Sequence, residues 1–243
     1  MKFIRFKNRD FVGYGSLEGK YVSQLNAPPW KSGVPINSFH AICDVNLLVP
    51  CQPSKIIALA INYPGVTGTA SDVVEPKVFF KPPSSLIYNN ENIIAPFEDM
   101  RVWGECELAV IIGQRLNNAT VDEAKDAIFG YSISNDVSCD NVYGWDHHLA
   151  RSKGADTFCV LGPWIETDFD PLGKAILGYQ NNKLIRQGTC DQRFWSEPEL
   201  LVWLSKWITL EPGDVVLTGA PGRVREKIYL RHGDSYSCVI DGI

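Results

Sequence analysis

Two glutamates separated by one residue open the part of this sequence best equipped for chemistry. Glu105 and Glu107 flank Cys106 and lead directly into Leu108-Ala109-Val110-Ile111-Ile112, an apolar run closed by Gly113. Side chains alternate across a strand, so the two carboxylates share one face while Cys106 and Leu108 point to the other. The run is apolar on both faces, which reads as a strand entering a core with the acidic pair at its boundary. A second apolar segment, Ile128 to Ile133, comes after a short helical pattern and delivers Ser134-Asn135-Asp136 at its end. If the two strands are neighbours, three carboxylates share one patch. Two unit charges roughly 4 Å apart repel by about 4 kcal/mol at an effective dielectric near 20, so such a patch requires protonation, basic partners or a cation. Oxygen-only ligands suit a hard ion, Mg2+ or else Mn2+ or Ca2+, whereas zinc prefers histidine or cysteine. Three protein ligands leave positions for water or substrate. The plain alternative for two glutamates spaced this way is a solvated strand face.

The elements that must position these residues are legible in outline. Lys2 to Phe6 and Tyr21 to Leu25 alternate as strands around a turn at Leu17-Glu18-Gly19-Lys20. The stretch from Pro28 through Trp30 to Pro35 reads as a linker, and Val45 to Pro53 leads into the main body, which predicts a small β segment over 1–48 and a main domain over 49–243. Ile56 to Ile61 is a buried strand ending in a loop at Asn62-Tyr63-Pro64-Gly65. Lys77 to Lys81 is another strand, stiffened at its end by Pro82-Pro83. Thr120-Val121-Asp122-Glu123 and Ser196-Glu197-Pro198-Glu199 are capping boxes that start two helices, the second with Leu200, Leu201 and Leu204 on its apolar side. A last strand begins at Leu230 to Asp234.

Composition narrows the functions. The 243 residues suffice for one sizeable core, and a net charge of -5 without any basic run argues against nucleic acid as a partner. Seven scattered cysteines with no C-x-x-C suit thiols in a reducing compartment, and Cys106 and Cys159 fall within apolar segments as core residues. No apolar leader or membrane-length run is present, so the expectation is a soluble cytoplasmic protein with no membrane partner.

Three linked motifs resemble the fumarylacetoacetate hydrolase (FAH) family. Its E-x-E-L-a-v-v-I-G pattern is similar to Glu105 through Gly113, its G-Y-x-x-x-N-D-v-S to Gly130 through Ser138, and its K-g-x-D-t-F-x-x-l-G-P to Lys153 through Pro163. Leu210 to Pro221 and the Gly233-Asp234 pair continue the likeness, which runs from about Val49 to the carboxyl end. The resemblance implies a mixed β fold with short helices, an α+β β-roll or barrel catalytic domain beside the small amino-terminal β segment, and a homodimer. It implies further that Glu105, Glu107 and Asp136 bind a divalent metal, usually magnesium, and that Lys153 lies in the active site. The other role open to Lys153 is a structural ion pair with Asp156 or with a carboxylate of the cluster.

The chemistry implied is that of a 2-oxo acid, in keto, enol or dienol form, chelated by the metal so that an adjacent bond breaks through a chelated enolate. Lys153 would serve as cation or proton carrier, with the metal's field favouring its neutral form. Several departures from the family pattern bear on the fate of that enolate. Family members often carry N-Y-x-x-H, whose histidine activates the attacking water, but Val66 stands there and 67–72 contain no histidine. The family's arginine and glutamine after the aspartate are replaced within Cys139-Asp140-Asn141-Val142-Tyr143, and the threonine before the family's proline is Ala220. Arg151, His147 and Thr218 are candidate substrate-binding residues. Arg223 is a further source of a guanidinium, and His148 accompanies His147 on a short helical segment; for the arginines and histidines the competing reading is a solvated surface. Gln187 comes after a Lys183 to Arg186 hairpin strand. Decarboxylation, tautomerisation or hydration is therefore expected, with carbon-carbon hydrolysis of an acylpyruvate-type substrate or metal binding without turnover as alternatives.

Overall fold

In the computed structural model of this chain, residues 1–9, 11–66, 75–141 and 144–243 are described. The first fifty positions form five strands, β1 (Lys2–Asn8), β2 (Phe11–Glu18), β3 (Tyr21–Leu25), β4 (Pro35–Ala41) and β5 (Asn46–Leu48). The body continues with β6 (Ile56–Leu59), β7 (Val78–Lys81), β8 (Leu86–Tyr88), β9 (Val102–Trp103), β10 (Cys106–Ile112), α1 (Val121–Asp126), β11 (Ile128–Asp136), β12 (Ser138–Cys139) and α2 (Ala150–Gly154). After these come β13 (Cys159–Glu166), β14 (Ala175–Gln180), β15 (Lys183–Thr189), α3 (Glu197–Trp207), β16 (Val215–Leu217) and β17 (Tyr236–Ile240). This is a mixed, mostly β fold with short helices, as expected.

One long sheet runs in the order β4-β3-β2-β1-β13-β11-β10-β16-β6-β7, with β5 on β1 and β8 on β13. A second sheet, β15-β14-β17, lies across part of it, and β9 pairs with β12. The strand β10 is buried along its whole length, and its two faces do different jobs. Val110 and Ile112 pack under α1 and α3, against Ala124, Leu200, Leu201 and Leu204. Cys106 and Leu108 meet Ile176 and Ile240 of the second sheet. On the opposite face Ala109 and Ile111 join Ile56, Ala58, Phe79, Cys159 and Leu161. Glu107 is on that same face by alternation, which places a carboxylate at the end of an apolar layer. Both capping boxes form, Thr120 with Glu123 and Ser196 with Glu199.

The amino-terminal strands differ from their sequence reading. Gly13 and Gly15 interrupt the apolar alternation and hide β2, yet a Cβ on Gly13 would sit 2.3 Å from the Phe11 ring and one on Gly15 2.5 Å from Val22, so glycine is what lets these side chains fold over the strand. The 28–35 stretch is not a free linker: Trp30 stacks edge-on against Tyr14 at 5.2 Å and Phe129 at 5.7 Å. The first strands also extend the main sheet, since Lys2 pairs with Glu166 and Phe3 with Ile165. His147 and His148 lie in a turn ahead of α2, not on a helix, because α2 begins only at Ala150. The last strand starts at Tyr236, after a turn that Asp234 closes on the Arg231 amide. No described helix is long and apolar enough to cross a membrane.

Asp214 ties the centre of the sheet together. Its side chain is buried and accepts from the Ser54, Lys55 and Glu211 amides, the Ser54 hydroxyl and the Lys55 ammonium. These bonds set β6 beside β16, and β16 flanks β10. Replacing Asp214 with Ala removes the acceptor of three amides, the Ser54 hydroxyl and the Lys55 ammonium, and should cost roughly 3–5 kcal/mol of unfolding free energy in urea titrations. Lys55→Ala, which leaves the other donors in place, should cost less than half as much.

Candidate active site

Antiparallel pairing of β10 with β11 brings the acidic residues together. Cys106 faces Asn135 in this register, the Asp136 amide donates to the Glu105 carbonyl, and the Glu105 amide donates to Asn135 Oδ1 at 2.8 Å. Ligand-type oxygens of Glu105, Glu107 and Asp136 lie within 4.8 Å of one another. Glu107 and Asp136 are closed to solvent, whereas 18% of the Glu105 side chain remains exposed.

Each carboxylate is held from a different direction. Glu107 Oε2 accepts from the Gly219 amide at 2.7 Å. That amide is available because Gly219 adopts a left-handed backbone (φ +91°) and packs so tightly on Asn62 that a Cβ would lie 2.9 Å from the Asn62 Cβ. Asp136 receives the Lys81 ammonium on Oδ1 at 2.6 Å and the Lys153 ammonium on Oδ2. Glu105 receives Lys153 on Oε2 at 2.8 Å, Arg186 on Oε1 at 2.5 Å and the Trp103 indole on Oε1 at 3.2 Å. Arg223 approaches the same Oε1 to 3.8 Å.

Lys153 is the hub. Its helix has no N-cap side chain, and Leu149 stands at the cap with φ +57°. Asp146 Oδ2 substitutes by accepting from the Arg151 amide, the Ser152 amide and the Ser152 hydroxyl. Gly154 lets the helix rest on Pro82, which a Cβ would approach to 3.1 Å, and Lys81 reaches the Lys153 carbonyl as well as Asp136. The Lys153 ammonium also lies 4.9 Å from the centre of the Phe79 ring.

The electrostatics split the two glutamates. Burial pushes the Glu105 carboxyl up, but the charges of Lys153 and Arg186 outweigh it and hold the group far below the usual carboxylate range. Glu107 goes the other way: burial, then the negative charges of Asp136 and Glu105, raise it well above that range against the opposing pull of Lys153 and the Gly219 amide. Burial lowers the proton affinity of Lys153, yet Asp136, Glu105 and Glu107 more than reverse this, and the net shift is upward. In this arrangement Lys153 is an ammonium, and Glu107 holds a proton more readily than Glu105.

The donor set fits a hard divalent ion. Three carboxylates converge, two of them screened from water, and no histidine or thiolate competes among them. Lys153 bridges Glu105 and Asp136, so an ion held by all three carboxylates would need acceptors that this ammonium uses.

The other expected site residues are placed differently. Arg151 is exposed, and its backbone amide donates to Asp146. His147 is exposed in the turn before α2, as is His148. Thr218 is fully buried, its hydroxyl donating to the Leu108 carbonyl at 3.0 Å and its carbonyl accepting from Asn62. Val66 packs beside the cluster of Tyr63, Cys106 and Leu108. The histidine-free stretch 67–72 lies outside the described residues. Lys81 and Arg186 are two cations of the site that sequence reasoning misses. The signal for Lys81 is present: alternation along Val78-Phe79-Phe80-Lys81 sends Phe79 and Lys81 inward and Phe80 outward. Arg186 has no local signal, since it reaches Glu105 from the other sheet.

Residues 55–243 match the family described as fumarylacetoacetate (FAA) hydrolase C-terminal, and residues 1–50 match the one described as Rv2993c-like, N-terminal. An uncharacterized protein of Methanocaldococcus jannaschii is 37% identical over 194 residues, covering 79% of this chain and 81% of that protein. A mitochondrial oxaloacetate tautomerase of Xenopus laevis is 34% identical over 214 residues, covering 82% of this chain and 66% of that protein. A crystal structure of 5-carboxymethyl-2-hydroxymuconate delta-isomerase from Mycobacterium smegmatis superposes with a TM-score of 0.91 at 32% identity, covering 100% of this chain and 96% of that one. Sequence motifs, fold and the convergence of Glu105, Glu107, Asp136 and Lys153 agree, and the chain belongs to the fumarylacetoacetate hydrolase family of enzymes.

Proposed function

We propose that this protein is a divalent-metal-dependent enzyme that enolises a 2-oxo acid and completes a tautomerisation, decarboxylation or hydration. The observation that carries this reading is the convergence of three carboxylates within 4.8 Å of one another, two of them bonded to the Lys153 ammonium. Glu105, Glu107 and Asp136 would hold the ion, and Mg2+ or Mn2+ suits the all-oxygen set. Held there, it supplies positive charge for chelating the substrate and for the charge that develops on the keto oxygen.

The chain's own groups supply the rest. Lys153 Nζ carries the proton to and from the carbon next to the keto group. Its high proton affinity comes from the three carboxylates, so neutralising them leaves burial as the dominant influence, and burial favours the neutral amine. Lys81 keeps Asp136 in place from the closed side, and Arg186 does the same for Glu105. The tautomerase and isomerase names of two relatives point to proton-moving chemistry, and Val66 in place of a histidine argues against directed-water hydrolysis.

Proton NMR in deuterium oxide with magnesium and a panel of 2-oxo acids tests this. Exchange should occur at the carbon next to the keto group, fall by at least about a hundredfold in Lys153→Met and Glu107→Ala, and survive in Cys106→Ala. No exchange on any acid, with intact metal binding, would favour a binding-only protein.

Metal binding should release a proton. Glu107 is raised and must ionise to bind, so affinity for Mn2+ should weaken as pH falls below its raised pKa. Calorimetry in two buffers of different ionisation enthalpy reads the proton directly.

The same group has a cost in the metal-free protein. Because the folded pKa of Glu107 exceeds the unfolded one, its stabilising contribution is complete only below the unfolded value and is lost as pH rises toward the folded value. Glu107→Gln, permanently neutral, should therefore melt at or above the wild-type temperature in chelator at neutral pH, while Mn2+ should raise only the wild-type Tm. A variant that melts well below wild type in chelator would refute the raised proton affinity of Glu107.

A further inference from the structure

Among the described residues, the open side of the carboxylate cluster carries one guanidinium that the scaffold does not consume. Solvent reaches the cluster past Glu105, Lys153 and Arg223, whose side chains keep 18%, 12% and 24% of their surface, while Lys81 and Asp136 keep 0%. Of the two cations on this side, Lys153 is committed to Glu105 and Asp136. Arg223 is not comparably committed. Its approach to Glu105 Oε1 is 3.8 Å, against 2.5 Å for Arg186 on the same oxygen. Glu105 needs no second guanidinium, because Arg186 and Trp103 serve Oε1, and Lys153 and Ser138 serve Oε2.

The Arg223 backbone is nevertheless well fixed. It bridges to Arg186, its neighbour Val224 donates to the Ile185 carbonyl, and Gly222 accepts from the Gln187 amide. A guanidinium with five donors, placed on rigid backbone at the mouth of a site and pressed by a like charge from Arg186, is suited to an incoming carboxylate.

Charge balance points the same way. Lys81, Lys153, Arg186 and Arg223 face three carboxylates, and a divalent ion enlarges that positive surplus. A dianionic substrate offsets more of it than a monoanion does. Asp140, where the family pattern has arginine, does not reverse the balance, since Arg101 at 2.8 Å and Lys227 at 2.9 Å neutralise it and the Tyr229 hydroxyl donates to it.

We propose that Arg223 binds the carboxylate at the far end of a 2-oxo dicarboxylate, and so selects diacids over monoacids of the same chain length. This deepens the enolisation reading and rests on it.

The test compares wild type, Arg223→Met and Arg223→Lys on matched acids, oxaloacetate with 2-oxobutyrate and 2-oxoglutarate with 2-oxopentanoate. Two readouts are used: kcat/KM for deuterium exchange, and the rise in Tm that each acid produces in the Mn2+-loaded protein. Arg223→Met should lower the diacid-to-monoacid ratio of kcat/KM by about ten- to hundredfold, the range for a lost hydrogen bond to a charged group. The Tm rise given by diacids should shrink in parallel, and Arg223→Lys should recover part of both. An unchanged ratio, or an equal fall for both members of a pair, overturns the proposal; the equal fall would make Arg223 a positioning residue for Glu105. Absence of both exchange and Tm shift in wild type with all four acids would instead sink the enolisation reading itself, and this proposal with it.

Discussion

Repulsion among three carboxylates pressed into a largely dry corner is the constraint around which this molecule is arranged. At separations near 4 Å each pair costs about 4 kcal/mol at an effective dielectric near 20, more than most single side-chain contacts return. Cations from three separate segments answer it: Lys81 from β7, Lys153 from α2 and Arg186 from β15. Since β15 belongs to the second sheet, the ion pair between Arg186 and Glu105 also fastens that sheet to the first. The compensation is incomplete at Glu107, whose nearest described support is one backbone amide; burial, then the charges of Asp136 and Glu105, raise its proton affinity.

Holding acids this close demands a stiff frame, and the frame is built largely from side chains bonded to backbone. Asn135 fixes the Glu105 amide. Asn62 binds the carbonyls of Trp195 and Thr218, and its Oδ1 accepts from the Trp195 amide, so the loop after β6 locks the segment that presents the Gly219 amide. Asp146 stands in for the missing cap of α2 and thereby aims Lys153. Such bonds satisfy loop backbone that neither helix nor sheet could satisfy. They fix geometry at the mouth of the site, where regular structure ends.

How much of the site is legible in the sequence depends on the reach of each local signal. Glu105, Glu107 and Asp136 are legible because each terminates or begins a strand whose own apolar pattern is strong, and both capping boxes are legible because their partners are three residues apart. Lys81 is recoverable from alternation alone. Arg186 is not, because its partner is eighty-one residues away on another sheet and nothing nearby requires a cation. In the amino-terminal strands glycine erases the pattern: Gly13 and Gly15 serve packing against Phe11, Val22 and Phe6, and the resulting loss of side chains leaves β2 without a strand signal. Trp30 reads as part of a linker for a similar reason, since the prolines around it announce a loop but not the surface against which that loop docks.

Lys153 shows why the offsetting charges are spread over several side chains. One cation strong enough to quiet the whole cluster would have to be displaced outright for the carboxylates to take another ligand. Here Lys81 and Arg186 are nearly sealed from solvent and pair with Asp136 and Glu105 from the closed side, so those acids stay anchored when Lys153 lets go. Lys153 is more accessible, and the same three anions that now raise its proton affinity are the ones whose neutralisation would lower it. On the function proposed above, release of its hydrogen bonds and loss of its hold on the proton would be one event, set by the charge state of the carboxylates. On that reading, the coupling would turn a local imbalance of charge into a side chain able to take up and return a proton.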